Sequence, residues 1–266
     1  MAQKPWVAGL IVVAVNRMPA ADVEVSADLV RWLLADQHPD LARLPVEFLA
    51  NGWDNELYRV GDELIARLPR RALGAEIIKN EQRWLPGLAP QLPLPIPYPE
   101  RTGVPACGYP YSWSVVPYLP GVPAAQASSF DPAGAAAAVG GFLGALHVPA
   151  PADAPANPFR GVPLADRAGS FAANLALLAG LGGPVGQDLP GRDAVLRGWD
   201  AALAAPGYDG PPLWLHGDLH PANILVSDGQ VSGVIDFGDG TLPPEDNPVL
   251  LEVGRRTLRT ALADQR

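Results

Sequence analysis

An α+β fold is predicted for this chain, on three observations. Short apolar and β-branched runs separated by turn residues lie close together at 46–50, 56–60 and 64–68. Longer stretches with capping residues at their starts and proline or glycine at their ends alternate with them and dominate the second half. Late in the chain, Asp228-Gly229 supplies a two-residue hairpin turn between the apolar runs 224–226 and 231–235.

In chain order, an apolar run from Val7 to Val15 follows Lys4. It is too short to span a bilayer, and with the small residues near Ala20 it resembles a secretory leader. Ser26 caps a helix expected to reach about Gln37, with Asp28 in its first turn. The three strand candidates follow. Asn51-Gly52-Trp53-Asp54-Asn55 joins the first two and Gly61-Asp62 the last two. A helix is expected over about 73–85. Gln91 to Pro99 alternates apolar residues with proline, as an edge strand or polyproline II segment does. Tyr111–Leu119 reads as a strand. Asp131 starts an Ala/Gly-rich helix that ends near His147, ahead of Pro149 and Pro151. Helices are expected at about 164–181 and 192–205, and a buried strand at 213–215.

Composition narrows the function. The 266 residues are 48% hydrophobic, enough for a real core in one large domain or two lobes. The single cysteine, Cys107, excludes an internal disulfide and fits a reducing, cytoplasmic setting. A net charge of −9 argues against nucleic acid as the partner and suits a cationic small molecule. Nothing in the chain reads as a membrane span.

The chemistry concentrates in Leu213 to Asp239. If Ser227 pairs with Gln230 across the Asp228-Gly229 turn, counting outward sets Asn223 opposite Val234. Asn223 and Asp236 then share one end of the ribbon, two residues out of register, roughly 7 Å at about 3.3 Å per residue. Asp218 lies in the loop feeding that end. Two carboxylates and an amide oxygen converge there, a donor set suited to magnesium. Each residue alone is also an ordinary turn former. A rival reading is a zinc-dependent hydrolase: His216, Asp218 and His220 alternate, and on an extended strand would face one side. Gly217 and Pro221 favour a loop instead.

HGDLHPANIL followed by IDFGD resembles the catalytic loop and metal-binding segment of the aminoglycoside phosphotransferase family, relatives of the protein kinases. His216-x-Asp218-x-x-x-x-Asn223 and Asp236-Phe237-Gly238 carry the likeness. It implies a two-lobed protein-kinase-like fold. A small β-rich, nucleotide-binding amino lobe would occupy 18–118, and a larger, mainly helical lobe with catalytic loop and acceptor site 119–266. Residues 1–17 would be a non-native or disordered extension before a family-like start at Met18. The implied reaction moves the γ-phosphoryl group of ATP, or GTP, to a hydroxyl of an aminoglycoside-like antibiotic or a metabolite. Asp218 would be the catalytic base, with Asn223 and Asp236 as magnesium ligands. The chain has two lysines, Lys4 and Lys79, against seventeen arginines. The phosphate-holding cation of the third strand is therefore expected to be Arg67, paired with Glu81; the alternative is that Arg67, Arg70 and Arg71 form a solvated strand end. The loop ending at Asn55 would cover the phosphates, and the segment with Val116 and Tyr118 would hold the base. Pro117 has no N–H, so a hinge donor would come from Tyr118 or Leu119. After IDFGD, relatives continue with a GDPAxDLA-like segment and a helix. Here Gly240-Thr241 runs into LPPEDNPVLLEV, so part of the carboxyl lobe is expected to be missing between Thr241 and Leu242. That makes nucleotide binding with little or no turnover the second reading.

Overall fold

The computed structural model describes residues 20–52, 54–155, 163–180, 192–208 and 210–237. The expected extension at 1–17 and the expected gap after Thr241 lie outside them, as do Trp53 and Gly238. The described residues divide into two compact units, one of 20–148 with 215–237, the other drawn from 149–214.

The first unit opens with α1 (Ala27–Gln37), where Ser26 Oγ accepts the Leu29 N–H at 3.2 Å, as its capping role requires. A five-stranded antiparallel sheet follows. β1 (Val46–Asn51), β2 (Asn55–Val60) and β3 (Leu64–Pro69) form a meander. α2 (Ala72–Leu88) comes next, its start tied down by Asp22, which accepts the Ala72 N–H at 2.9 Å. β4 (Arg101–Gly103) and β5 (Trp113–Pro117) complete the sheet in the order β1-β2-β3-β5-β4. One face of this sheet packs against α1. Val30, Leu33 and Leu34 meet Val46, Tyr58, Val60, Ala66, Leu68, Trp113 and Val115, all buried. Each such side chain removed from water contributes about 1.5–3 kcal/mol. The opposite face carries Leu57, Arg59, Ile65, Arg67, Ser114 and Val116, and α2 covers part of it, with Gln82 Nε2 donating to Ser114 Oγ at 3.0 Å.

A second sheet joins β6 (Val122–Pro123), β7 (Ile224–Ser227) and β8 (Gln230–Val234). Between β6 and β7 in the chain, α3 (Pro132–Leu146) is capped by Asp131, whose carboxylate accepts the Ala133 and Gly134 N–H groups. It buries Phe142, whose ring meets Phe237 edge-on at 6.1 Å. The second unit contains a 3-10 turn at Leu164–Arg167, α4 (Ala168–Gly180) and α5 (Arg192–Leu203). Phe171 stacks on Trp199 at 4.0 Å within it.

Two stretches that could have been strands join no named strand, and for residues 91–99 that leaves the polyproline II alternative. Leu213 and Trp214 are isolated bridge residues, Leu213 pairing with Pro149, and belong to no named strand among the described residues. Residues 92–100 join no ladder, because Pro93, Pro95, Pro97 and Pro99 remove the donors a strand needs. The Pro95 carbonyl instead accepts the Val234 N–H at 3.0 Å. Conversely, β4 and β6 are too short to leave a periodic signal. Among the described residues no helix is long and apolar enough to cross a membrane.

Candidate phosphoryl-transfer site

The hairpin forms at the expected turn. Asp228 and Gly229 take φ of 51° and 76°, the left-handed geometry of a type I′ connection, and Ser227 pairs with Gln230. The register then departs from simple counting. A bulge between Leu225 and Val226 makes Leu225 pair with Gly233 and Ile224 with Val234. One extra residue, Ser232, is taken into β8, and its hydroxyl donates to the Pro120 carbonyl at 2.8 Å. Asn223 therefore faces Ile235, whose N–H it accepts at 2.9 Å, and not Val234. Asn223 and Asp236 are one step out of register instead of two.

The loop before β7 is built on His216, which is 2% exposed. Its Nε2 lies 2.9 Å from the Ile235 carbonyl, so Nε2 donates. Nδ1 accepts the Asp218 N–H at 3.3 Å. The ring ties the loop to the end of β8 and sits 4.7 Å from the Phe237 ring. With both nitrogens engaged, His216 is not a metal ligand. His220 accepts the Ala222 N–H at Nδ1, and its Nε2 lies 3.4 Å from Asp218 Oδ2. Gly217, at φ 81°, breaks the extended backbone that the alternation argument needs. Among the described residues no cluster of three or more His, Cys, Asp and Glu could hold a metal. The zinc reading is thereby overturned: the alternating residues lie on a loop.

Asn223 is buried, and its Nδ2 donates to the Asp218 carbonyl at 3.0 Å, which turns Oδ1 the other way. Asp236, at φ 69°, holds a backbone conformation that only Gly, Asn and Asp adopt readily. Its carboxylate makes no hydrogen bond among the described residues. One amide oxygen and one carboxylate, with the remaining positions open to water and phosphate, fit magnesium better than a softer ion.

On the face of the first sheet opposite α1, Arg67 on β3 and Glu81 on α2 are both buried. Arg67 Nη2 donates to Glu81 Oε1 at 3.1 Å, and Nη1 lies 2.9 Å from Oε2 as a close ion pair not aligned for a second hydrogen bond. Burial pushes the Glu81 carboxyl up, the Arg67 guanidinium opposes that rise, and the Asp236 carboxylate adds to it. The influence of Asp236 on Glu81 ties the end of the hairpin electrostatically to the sheet.

The loop at 51–55 is braced by two arginines that the sequence left as a solvated strand end. Arg70 is buried, its Nη1 3.4 Å from the Gly52 carbonyl, and its N–H donates to the Asp54 carbonyl at 2.8 Å. Arg71 pairs with the Asp54 carboxylate. Gly74 fits beneath, where a Cβ would meet Asp54 O at 2.7 Å. Asn55 Oδ1 is buried with no hydrogen-bond partner among the described residues. At the other end, Val116 is buried on β5. The Tyr118 N–H already donates to the Glu63 carbonyl at 2.7 Å, so of the two hinge donors Leu119 is the one left open. Arg59, which sequence reasoning did not single out, lays its guanidinium 3.5 Å over the Tyr118 ring. Its strand position opposite Ile65, beside Leu57 and Arg67, was the signal available for it.

Comparison with known proteins places this geometry in context. The family described as "Phosphotransferase enzyme family" matches residues 45–244. Homoserine kinase of Acidiphilium cryptum (strain JF-5) is 31% identical over 203 residues, 71% of this chain. The chain spans 57% of the length of that curated relative. Among solved structures, the GDP complex of wild-type aminoglycoside 2'-phosphotransferase-IIIa aligns with a TM-score of 0.53 at 22% identity, over 83% of this chain and 75% of that one. The apoenzyme of macrolide 2'-phosphotransferase MphH from Brachybacterium faecium aligns at 0.53 and 22%, over 88% and 82%. At these identities the structures share the protein-kinase-like fold.

Proposed function

Because the chain belongs to the phosphotransferase enzyme family, we propose that it transfers the γ-phosphoryl group of ATP or GTP to a hydroxyl group of a small molecule. The observation that carries this is the buried Arg67–Glu81 pair, within electrostatic reach of Asp236. Replacing a buried ion pair by apolar side chains is often neutral or stabilising. Stability alone is therefore a weak reason to hold this one, whereas a preorganised cation facing phosphate oxygens is a functional one. Glu81 fixes the fork of Arg67, and Arg67 holds the phosphates in place of the lysine that β3 lacks. The loop ending at Asn55 covers them, braced from behind by Arg70 and Arg71. Val116 and the hinge past Tyr118 take the base.

Asp218 accepts the proton of the acceptor hydroxyl as the oxygen attacks phosphorus. His220, 3.4 Å away, and the His216 ring fix the loop that presents it. Asn223 and Asp236 would hold magnesium, which neutralises phosphate charge when bound. Most of the rate gain in such transfers comes from positioning and electrostatics, which fits a site whose members are pinned by hydrogen bonds. In this reading 18–118 is the nucleotide-binding lobe, 119–266 carries the catalytic loop and acceptor site, and the protein works in the cytoplasm.

The acceptor belongs to one of two classes. Structural neighbours include a GDP and kanamycin complex and a streptomycin–ATP ternary complex. These favour a cationic antibiotic, which suits the net charge of −9, and with it a role in antibiotic resistance. The homoserine kinase relative favours a small amino alcohol. Incubating the protein with magnesium, labelled ATP or GTP and a panel of aminoglycosides, macrolides and amino alcohols tests both. Phosphorylated product from one class is the expected result. Nucleotide binding with no product from any member would favour the binding-only reading.

A further inference from the structure

Across the face of the first sheet opposite α1, Glu47, Arg59, Ile65 and Val116 form one row over four strands. Arg59 stands directly opposite Glu47, and a cross-strand ion pair is the ordinary expectation there. The guanidinium turns away instead. It lies over the Tyr118 ring, with Nε donating to the Gly61 carbonyl at 3.2 Å and Nη2 to the Asp62 carbonyl. No carboxylate pairs with it among the described residues. A guanidinium has five N–H donors, so three remain open. A hollow of about 300 Å³, lined by Glu47, Leu49, Arg59 and Asp62 among others, opens beside it. A half-buried cation held on an aromatic ring, with open donors and no anionic partner, is suited to a ligand rich in acceptors.

We propose that Arg59, seated on Tyr118, determines which purine the nucleotide slot takes and favours guanine. This rests on the phosphotransferase reading. Ile65, half-buried and next in the row, gives the purine an apolar surface to lie on. Guanine presents O6 and N7 as adjacent acceptors, whereas adenine sets the N6 donor beside N7. A guanidinium only donates, so it meets both guanine atoms and is opposed by the adenine amino group.

The test is calorimetric titration of the full chain, with magnesium present, by GTP, ATP and inorganic tripolyphosphate. Tripolyphosphate carries the phosphates without a base. In Arg59→Met, GTP affinity should fall roughly tenfold, the equivalent of one charge-assisted hydrogen bond. ATP should change much less, and tripolyphosphate not at all. Tyr118→Leu, which removes the ring under the guanidinium, should give the same pattern. Should Arg59→Met fail to fold, Arg59→Lys keeps the charge but not the fork and reads the same ratio. Equal losses for all three ligands would mark Arg59 as structural and overturn the proposal, as would unchanged GTP affinity or an equal loss for ATP. A parent protein that binds neither nucleotide nor tripolyphosphate would instead overturn the phosphotransferase reading beneath it.

Discussion

At the scale of single residues, Asp218 and His38 make opposite kinds of contribution. Asp218 sits on a loop whose geometry is set by other groups: its N–H is held by His216 and its carbonyl by Asn223. Changing its carboxylate should leave the loop standing. Asp218→Asn is expected to lower kcat by about 10²–10⁴, the usual range for a general base, with magnesium–nucleotide affinity nearly unchanged. Single-turnover kinetics beside calorimetry reads the two separately, and an unaltered kcat would remove Asp218 from the role. His38 acts on stability instead. Its ring meets Trp113 edge-on at 5.4 Å and its Nε2 is buried without a hydrogen-bond partner. Burial lowers its pKa, partly offset by Asp40. The folded state then holds fewer protons than the unfolded one just below about pH 6.5, so stability rises with pH in that window. Stability is present above the unfolded value and lost as the pH falls through the lowered folded value. Melting temperature should drop between pH 7 and 5.5, and His38→Gln should flatten part of that slope. A variant with the same slope as the parent would assign it to other groups.

At the scale of elements, the β7–β8 hairpin shows how one residue sets the site. Side chains alternate along a strand, so a one-residue slip carries every later residue to the other face. Ser232 is that residue. It occupies the bulge, anchors it through the Pro120 carbonyl, and brings Asp236 within a step of Asn223. Gly121 at φ 134° makes room for it, since a Cβ there would meet Ser232 Oγ at 2.7 Å. Deleting Ser232 is expected to leave a folded hairpin with Gly233 still opposite Leu225 and Val234 opposite Ile224, but without the bend and added twist of the bulge that aim Asp236. Magnesium-dependent nucleotide binding should then fall at least tenfold while most of the thermal stability is kept. Retained magnesium dependence would show that the bulge does not set the metal-side geometry.

At the scale of the whole molecule, the nucleotide should behave as part of the fold. Arg67, Glu81, Asp218, Asn223 and Asp236 all lie in the one compact unit formed by 20–148 and 215–237. A ligand that binds only the folded state, at a hundred times its dissociation constant, adds about 2.7 kcal/mol. For a chain of this size that corresponds to a rise of roughly 5–10 °C in melting temperature. Magnesium with ATP or GTP should produce it, and magnesium alone should not. A melting temperature indifferent to both nucleotides would count against a preformed site in this unit.

The sequence by itself determined those features whose cause lies among neighbouring residues. Ser26 caps α1 and Asp131 caps α3 because an N-cap bonds N–H groups two or three positions away. Asp228-Gly229 turns the chain because those two residues tolerate left-handed φ. The loop at 216–223 and the segment after β8 stand out as spaced motifs, and their residue types are those of the oxygen-rich site proposed for a hard cation. Only the tertiary structure decided what depends on a partner distant in the chain. The bulge at Ser232 answers to Pro120, more than a hundred residues earlier, and no periodicity within β8 announces it. Arg70 and Arg71 read as exposed charges until Gly52 and Asp54 fold back onto them. Arg59 could have paired with Glu47 across the strand, and the choice went to Tyr118 and two turn carbonyls. Local dihedral preferences are encoded position by position, whereas burial and charge pairing are settled by which strands meet, and only the folded chain brings those strands together.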